Sequence, residues 1–227
     1  TIASSTIGRA VIGFATGAVP FWTSRLGSRK IIFSSTIWIL LSVLVCTPVF
    51  YYIGMIPEGL LIDVILLALL HGLHGLLQNV AVGKNHIAQF NSVLVITHTL
   101  VLFFVLMGFF VWYEQSVEWV LISMEIGYGI GVLYNMFFWS QRLTNETEDK
   151  WTKVLRQLLQ HGTYVQVANF FQQINYRLTF YFIEAFVGIR VLGLYAAGIQ
   201  LSEGVWNLSK SFAVVEYGTI ANSEDKA

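Results

Sequence analysis

The sequence predicts an all-α protein, a polytopic transmembrane helical bundle of about seven spans. Hydrophobic residues make up 56% of the 227 residues, whereas Asp, Glu, Lys and Arg make up 11%, well below the ~25% typical of soluble domains. Long apolar runs recur along the chain, and the basic residues between them collect in every second connection. Composition, run length and charge alternation together predict a membrane protein.

Each predicted span is an apolar run long enough to cross the hydrocarbon core, which takes about 20 residues of helix. The runs are, in order, 2–22, 31–53, 59–83, 92–113, 117–140, 162–186 and 189–217. The second and fourth runs carry no charged residue, and the third carries only Asp63. A large soluble protein with buried helices is the alternative, and so many runs almost without charge argue against it.

The connections between the runs alternate in positive charge, which predicts the orientation of the helices. Basic residues lie in segments 23–30, 84–91 and 141–160, whereas 54–58 and 114–116 contain glutamate and no basic residue. Lys and Arg accumulate on the cytoplasmic side of membrane proteins, so the three basic segments are predicted to be cytoplasmic. The alternation continues to the end of the chain only if the weakly hydrophobic sixth run is also a span.

The longest and most polar connection, 141–160, is predicted to separate two helix bundles. The apolar residues from Trp151 to Leu159 recur at helical spacing, which predicts an amphipathic helix at the cytoplasmic interface. The predicted division is therefore an N-terminal bundle at 1–140, this linker, and the start of a C-terminal bundle at 161–227.

Successive residues of an α-helix are rotated by ~100° about its axis. On this basis the polar side chains of the last three runs fall in a narrow sector of each helix. The residues predicted to line a cavity are Glu125 in the fifth run, Gln166, Asn169, Gln173, Arg177 and Glu184 in the sixth, and Glu203, Asn207 and Lys210 in the seventh. A charge facing lipid costs ~2.5–3.5 kcal/mol at the centre of a span, so these sectors must face protein or water. They form either ion pairs between helices or a hydrophilic cavity for a polar, anionic solute, and the uncharged amides favour the cavity.

Other polar residues give weaker indications. His71 and His74 share a helix face, but two imidazoles do not complete a metal site, so they are predicted to pack or to line a pore. His98 is predicted to be packed or weakly polar lining, and Asp63, near the outer end of its span, to be solvated. No metal site is predicted.

The sequence gives no indication of an enzyme. It contains no nucleotide-binding loop, no Ser/His/Asp arrangement and no cysteine–histidine metal set, so neither catalysis nor a cofactor is predicted. The 13 acidic residues balance the 13 basic ones, which leaves no net charge to indicate nucleic acid as a partner.

Short motifs in the last third of the chain resemble a known family. They are Ile-Asn-Tyr-Arg at 174–177, Leu-Gly-Leu-Tyr-Ala-Ala-Gly at 192–198, Leu-Ser-Glu-Gly-Val-Trp at 201–206 and the tail Tyr-Gly-Thr-Ile-Ala-Asn-Ser-Glu-Asp at 217–225. Phe90-Asn91, after Val-Gly-Lys-Asn at 82–85, adds a further match at the start of the fourth run. With this ordered set the chain resembles the O-antigen-type polysaccharide biosynthesis flippases of the multidrug/oligosaccharidyl-lipid/polysaccharide exporter superfamily.

The resemblance implies a fold of two six-helix bundles around a central cavity that opens alternately to each side of the membrane. On this alignment the chain is a fragment that begins in the family's second helix and ends after its eighth. The implied function is to flip an undecaprenyl-diphosphate-linked oligosaccharide across the bacterial inner (cytoplasmic) membrane for cell-surface polysaccharide export.

The resemblance also bears on individual residues. Arg177 and Glu203 match family positions, and Arg177 would attract the diphosphate or acidic sugars. Thr179 stands where an acidic residue often follows the family's arginine, so no carboxylate role carries over to that position. Membrane lipids are implied partners, and coupling to protons or to sodium ions is left open.

Two alternative functions remain open. A cation-coupled exporter of drugs or small molecules from the same superfamily would need an apolar, aromatic-lined cavity with acids, and the amide-rich sixth run argues against it. A structural or regulatory membrane subunit without transport would pair all of its polar groups and leave no solvated cavity.

Overall fold

The computed structural model describes most of the first 142 residues and part of the remaining chain. The described residues are 19, 23, 28–52, 54, 56, 59–114, 116–142, 152, 156, 160, 167–168, 171, 175, 178–180, 182–199, 201–202, 205, 212–213 and 216. All regular secondary structure among them is helical, with no strand.

Four of the described helices are long and apolar enough to cross a membrane. They are α1 (Ser28–Tyr52), α2 (Leu61–Gly83), α3 (Ile87–Met107) and α4 (Val117–Ser140), and α3 continues into a π-helical segment, Gly108–Trp112. They match the second to fifth predicted runs. The main difference is at the start of α3, which begins at Ile87 rather than at 92, so Phe90 and Asn91 lie inside the helix rather than opening it.

Local sequence explains the turns that join these helices. Asn85 adopts a left-handed conformation with φ of 56°, which Asn tolerates better than most residues, and the His86 N–H then bonds the Ala81 carbonyl at 2.8 Å. At the start of α4 the Ser116 hydroxyl caps the helix by accepting from the Trp119 N–H at 3.1 Å. Both connections are short, so α3 runs antiparallel to α2 and to α4.

Helix packing places α2 and α4 at the centre of the bundle. α2 packs against α1 and α4, and α4 packs against α2 and α3. The core includes Ile39, Leu76, Val80 and Val132, which are buried. Packing of these side chains buries one side of each helix. The opposite sides face outward and are also apolar.

The outward faces carry large apolar side chains, such as Leu44 at 71% and Phe110 at 74% exposure. A soluble monomer rarely exposes so much contiguous apolar surface, whereas lipid solvates it. The four helices and this surface indicate a membrane-embedded protein.

Later in the chain, Ile189–Ile199 forms a shorter apolar helix. Gly188 precedes it with φ of 105°, a conformation that favours glycine, and its N–H bonds the Ile183 carbonyl at 2.9 Å. The predicted break between the sixth and seventh runs is therefore found at Gly188. Most of the first run, most of the linker and parts of the sixth and seventh runs lie outside the described residues, so seven spans and two bundles stay predictions.

Candidate functional site

Glu125 and Glu184 are the predicted cavity-lining residues that the structure describes. The other predicted residues lie outside the described part: Gln166, Asn169, Gln173, Arg177, Glu203, Asn207 and Lys210. Glu184 is exposed on the helical segment 182–186, whereas Glu125 is half-buried in α4. The cavity between the last two runs thus stays a prediction. Glu125 instead belongs to a group of polar residues between α2, α3 and α4.

Polar side chains line the contact between α2, α3 and α4, and we call this set the polar seam. Its members are Asp63, His71, His74 and Gln78 on α2, Gln89, Thr97 and His98 on α3, and Glu125, Tyr128 and Asn135 on α4. On α2 and on α4 the members are separated by steps of three, four, seven or eight residues, which places them on one face of each helix.

Ring contacts fix how α2 and α4 lie against each other. The His71 imidazole lies on the Tyr128 ring with 3.9 Å between centroids. One turn further along both helices, a Cβ at Gly131 would lie 3.4 Å from His74 Cδ2. Both contacts join residues with the same offset in residue number between the two helices, so α2 and α4 run parallel.

Three imidazoles surround the single ring of Tyr128. The ring centroids of His71, His74 and His98 lie 3.9, 5.2 and 6.2 Å from it. His74 is 5% exposed, and its Nε2 lies 3.2 Å from the Thr97 hydroxyl. The seam therefore places three titratable rings around one tyrosine, with His74 buried, His71 half-buried and His98 exposed. Among the described residues, no three His, Cys, Asp or Glu side chains are placed to hold a metal.

Small residues let α4 approach α3 at this cluster. A Cβ at Gly127 would overlap Val101 Cγ2 and lie 3.1 Å from the Thr97 carbonyl oxygen. A Cβ at Gly131 would overlap the Thr97 hydroxyl, whereas one at Gly129 would meet nothing within 4 Å. Close packing is thus found at two of these three glycines, as is common where membrane helices pack closely.

Two carboxyl groups meet in the first halves of α2 and α4. Asp63 and Glu125 interact electrostatically across the interface. Asp63 is half-buried, whereas the sequence predicts that it is solvated. Oε1 of Glu125 is buried and has no hydrogen-bond partner among the described residues.

Three amides occupy the other end of the polar seam. Gln89 Nε2 donates to Asn135 Oδ1 at 3.2 Å, and these residues are 7% and 1% exposed. Gln78 reaches the level of Asn135, since both lie seven residues beyond the stacked pair His71 and Tyr128. In the described part of the chain, Asn135 Nδ2 and Gln78 Nε2 are buried donors with no acceptor, although such groups are normally paired.

Sequence reasoning missed the seam as a unit. His71, His74 and Gln78 share one face of α2, and Glu125 and Tyr128 share one face of α4. The polar face of each helix could therefore be recognised from the residue spacing in the sequence. The overall apolarity of these runs concealed them, and nothing in the spacing shows which helix lies against which.

Comparisons with protein-family models, curated proteins and solved structures found no match for this chain. The resemblance of 164–225 to the oligosaccharide flippases therefore stays a prediction. The chemistry of the polar seam supplies the functional evidence that is independent of that resemblance.

Proposed function

We propose that the chain is part of a multi-pass transporter that flips a lipid-linked oligosaccharide across the bacterial inner membrane by alternating access. The observation that carries the transporter class is the polar seam, which holds two acids and two imidazoles between apolar helices, with the exposed His98 at its edge. Ionisable groups inside membrane spans cost ~2.5–3.5 kcal/mol each when charged at the centre of a helix, and they commonly mark ion or substrate pathways.

Incomplete pairing in the seam favours transport over a purely structural subunit. A structural bundle is most stable when each buried polar group has a partner or is replaced by an apolar one. Within the described part of the chain, Glu125 Oε1, Gln78 Nε2 and Asn135 Nδ2 have no hydrogen-bond partner. Such groups are available to a cargo, an ion or water.

The choice of an oligosaccharide as cargo rests on the sequence. Amides and a cationic residue in the sixth run suit a polar, anionic solute, and the motifs around Arg177 resemble those of the flippases. Arg177 would attract the diphosphate that joins the sugar to its lipid. The lipid moiety would stay in the bilayer while the sugar crosses between the helices.

A second candidate is a cation-coupled exporter of drugs or small molecules. One observation favours it: Glu125 lies one turn from the buried aromatic ring of Tyr128, so an acid and an aromatic side chain lie close together. An apolar cation would bind such a site through its charge and through the face of the ring.

The test is transport by the full-length protein in proteoliposomes, with undecaprenyl-diphosphate-linked oligosaccharide measured in the outer leaflet. We expect Arg177→Ala to reduce flipping at least tenfold, because the diphosphate loses its cationic partner. Arg156→Ala is the matched control, since it removes an exposed arginine from the linker, and it should flip as wild type does.

Two outcomes would count against the oligosaccharide. Flipping by Arg177→Ala at the wild-type rate, with equal amounts of folded protein, removes the proposed role of the arginine. Export of a lipophilic cation by the wild-type protein, without flipping of the oligosaccharide, identifies the drug exporter instead.

A further inference from the structure

We propose that the cytoplasmic end of the bundle binds the headgroup of an anionic phospholipid, such as phosphatidylglycerol, between the α2–α3 turn and the end of α4. The binding residues are His86, Phe138, Trp139 and Arg142, and we call them the inner-end cluster. The proposal goes beyond the proposed function and does not depend on it, because this lipid is a resident of the inner leaflet rather than the cargo.

Charge separates the two ends of the bundle. The basic residues of the range 28–142 lie at the start of α1 (Arg29 and Lys30), just after α2 (Lys84) and just after α4 (Arg142). Short connections make successive helices antiparallel, so these positions share one end. The acids of this range that the structure describes lie at the other end or in the adjoining half of α4. The basic end, predicted to be cytoplasmic, is therefore complementary in charge to anionic lipids.

Ring contacts hold the α2–α3 turn against the end of α4. The His86 imidazole lies 5.6 Å from the Trp139 ring and 5.7 Å from the Phe138 ring, measured between centroids. On the same phenyl ring, Arg142 Cζ lies 4.0 Å from the centroid. The imidazole and the guanidinium both contact Phe138, which brings them within reach of a single headgroup.

A buried donor beneath His86 is the independent evidence for a ligand. Trp139 is 3% exposed, and its indole Nε1 has no hydrogen-bond partner in the described part of the chain, although buried donors are normally paired. Asn135, one turn earlier on α4, has an unpaired donor at Nδ2, while its Oδ1 accepts from Gln89 in the first turn of α3 at 3.2 Å. The unpaired donors thus lie beside the start of α3, where an oxygen atom of a ligand would satisfy them.

The start of α3 adds backbone donors at the same place. The helix begins at Ile87, and the His86 side chain makes no capping hydrogen bond. The first N–H groups of a helix have no acceptor within the helix, and they favour anions. Together with the Trp139 indole and the Arg142 guanidinium, they offer the hydrogen bonds that phosphate oxygens accept most strongly.

Arg142 also bonds its own helix, and this bond leaves it able to bind a phosphate. Its Nη1 donates to the Phe138 carbonyl at 3.3 Å, a contact that basic residues often make at helix C-termini. A guanidinium carries five N–H donors in a fork that matches phosphate, and this bond uses only one nitrogen. Because Arg142 is exposed, a headgroup can reach it from the membrane surface.

The outward face of α4 favours a lipid over a soluble anion. Leu133 and Phe137 are 66% and 67% exposed, and residues four apart are neighbours on a helix surface. An acyl chain would pack along these two side chains while its headgroup binds the inner-end cluster. A free phosphate would gain nothing from this apolar face.

The test is native mass spectrometry of the full-length protein in detergent micelles, titrated with phosphatidylglycerol or with phosphatidylcholine. Both lipids carry a phosphate, but only phosphatidylglycerol has a net negative headgroup. The measured quantity is the Kd of the first bound lipid. The variants are Arg142→Gln, His86→Gln, their double variant and Trp139→Phe. Arg29→Gln is the matched control, because it removes an exposed arginine from the same end of the bundle, in the first turn of α1 and outside the cluster.

We expect wild type to bind phosphatidylglycerol at least tenfold more tightly than phosphatidylcholine. Arg142→Gln should reduce this preference about fivefold, the equivalent of ~1 kcal/mol for one basic residue beside an anionic headgroup. The double variant should lose the preference, Trp139→Phe should weaken it, and Arg29→Gln should bind as wild type does. Arg142 and His86 are exposed, so these variants should fold, and equal thermal stability would show that they do.

Three results would overturn the proposal. Equal affinity of wild type for the two lipids removes the anionic headgroup. Equal losses in Arg29→Gln and Arg142→Gln show diffuse attraction to a positive end instead of a site. Displacement of the lipid by an equal concentration of glycerol 3-phosphate identifies a soluble anion as the ligand. No cargo is needed, so a protein that prefers phosphatidylglycerol without flipping oligosaccharide refutes only the proposed function, and one that flips without this preference refutes only the lipid site.

Discussion

Replacing Gly131 with alanine tests the close packing of α4 on α3 at the histidine cluster. The added Cβ would overlap the Thr97 hydroxyl and lie 3.4 Å from both Thr97 Cβ and His74 Cδ2. Thr97 is fully buried, at 0% exposure, so its side chain has little room to move. If the hydroxyl is displaced, its hydrogen bond to His74 Nε2, at 3.2 Å, is lost.

The expected cost follows from these contacts. Leaving two buried polar groups unpaired costs about 1–3 kcal/mol, and inserting a methyl group into a packed site costs a further ~1–3 kcal/mol. Alanine has a better helix propensity than glycine by about 1 kcal/mol. The expected net loss of unfolding free energy for Gly131→Ala is therefore ~1–5 kcal/mol.

The control is Gly129→Ala, two residues away on α4, where the added Cβ meets nothing within 4 Å. Reversible unfolding of the full-length protein in mixed micelles would give both free energies. We expect Gly129→Ala to be neutral or slightly stabilising. In a Thr97→Ala background the overlap is removed, so Gly131→Ala should cost less there, as a double-mutant cycle would measure. Equal stability of Gly131→Ala and Gly129→Ala would refute the packing described here.

Three further predictions concern the same bundle. Gly108→Ala should destabilise the protein by ~1–3 kcal/mol, because the added Cβ would overlap the Trp119 ring. Gly75→Ala is the control, since its added Cβ would meet open space and should not destabilise the protein. Thermal unfolding would compare the two variants. Trp119→Phe removes the hydrogen bond that the indole donates to the Phe104 carbonyl at 3.0 Å. In the same assay it should lower the stability by ~0.5–1.5 kcal/mol. An unchanged stability would mean that this bond is not formed in the membrane. Gln89→Leu leaves both polar ends of the Asn135 side chain unpaired and should lower the free energy of unfolding by ~1–3 kcal/mol. The double variant Gln89→Leu/Asn135→Leu should recover most of that loss, because neither polar group remains. A double variant no more stable than Gln89→Leu alone would contradict this account.

The position of the spans was predictable because it depends on local composition. The start of α4 at Val117 and its end at Ser140 agree with the fifth predicted run, since the charged and polar residues of the flanking connections limit the apolar stretch. The start of α3 was predicted too late, at 92 rather than at Ile87. Asn85 makes the preceding turn tight enough for the helix to begin at once, so the polar residues Gln89 and Asn91 lie within it.

The roles of the polar residues were only partly predictable. Glu125 was predicted to line a cavity because a charged residue in a membrane span must face protein or water. Asp63 was expected to be solvated because its position near the start of a run says nothing about the neighbouring helix. In the structure it is half-buried and interacts electrostatically with Glu125 across the interface of α2 and α4.

The sequence by itself determined that this is an apolar, helical membrane protein, because run length and charge distribution are properties of the chain alone. The tertiary structure decided that α2 and α4 run parallel in one register, with α3 drawn close by Gly127 and Gly131. That register depends on contacts between residues far apart in the chain. It converts three separate sets of polar residues into one polar seam with acids at one end, imidazoles in the middle and amides at the other.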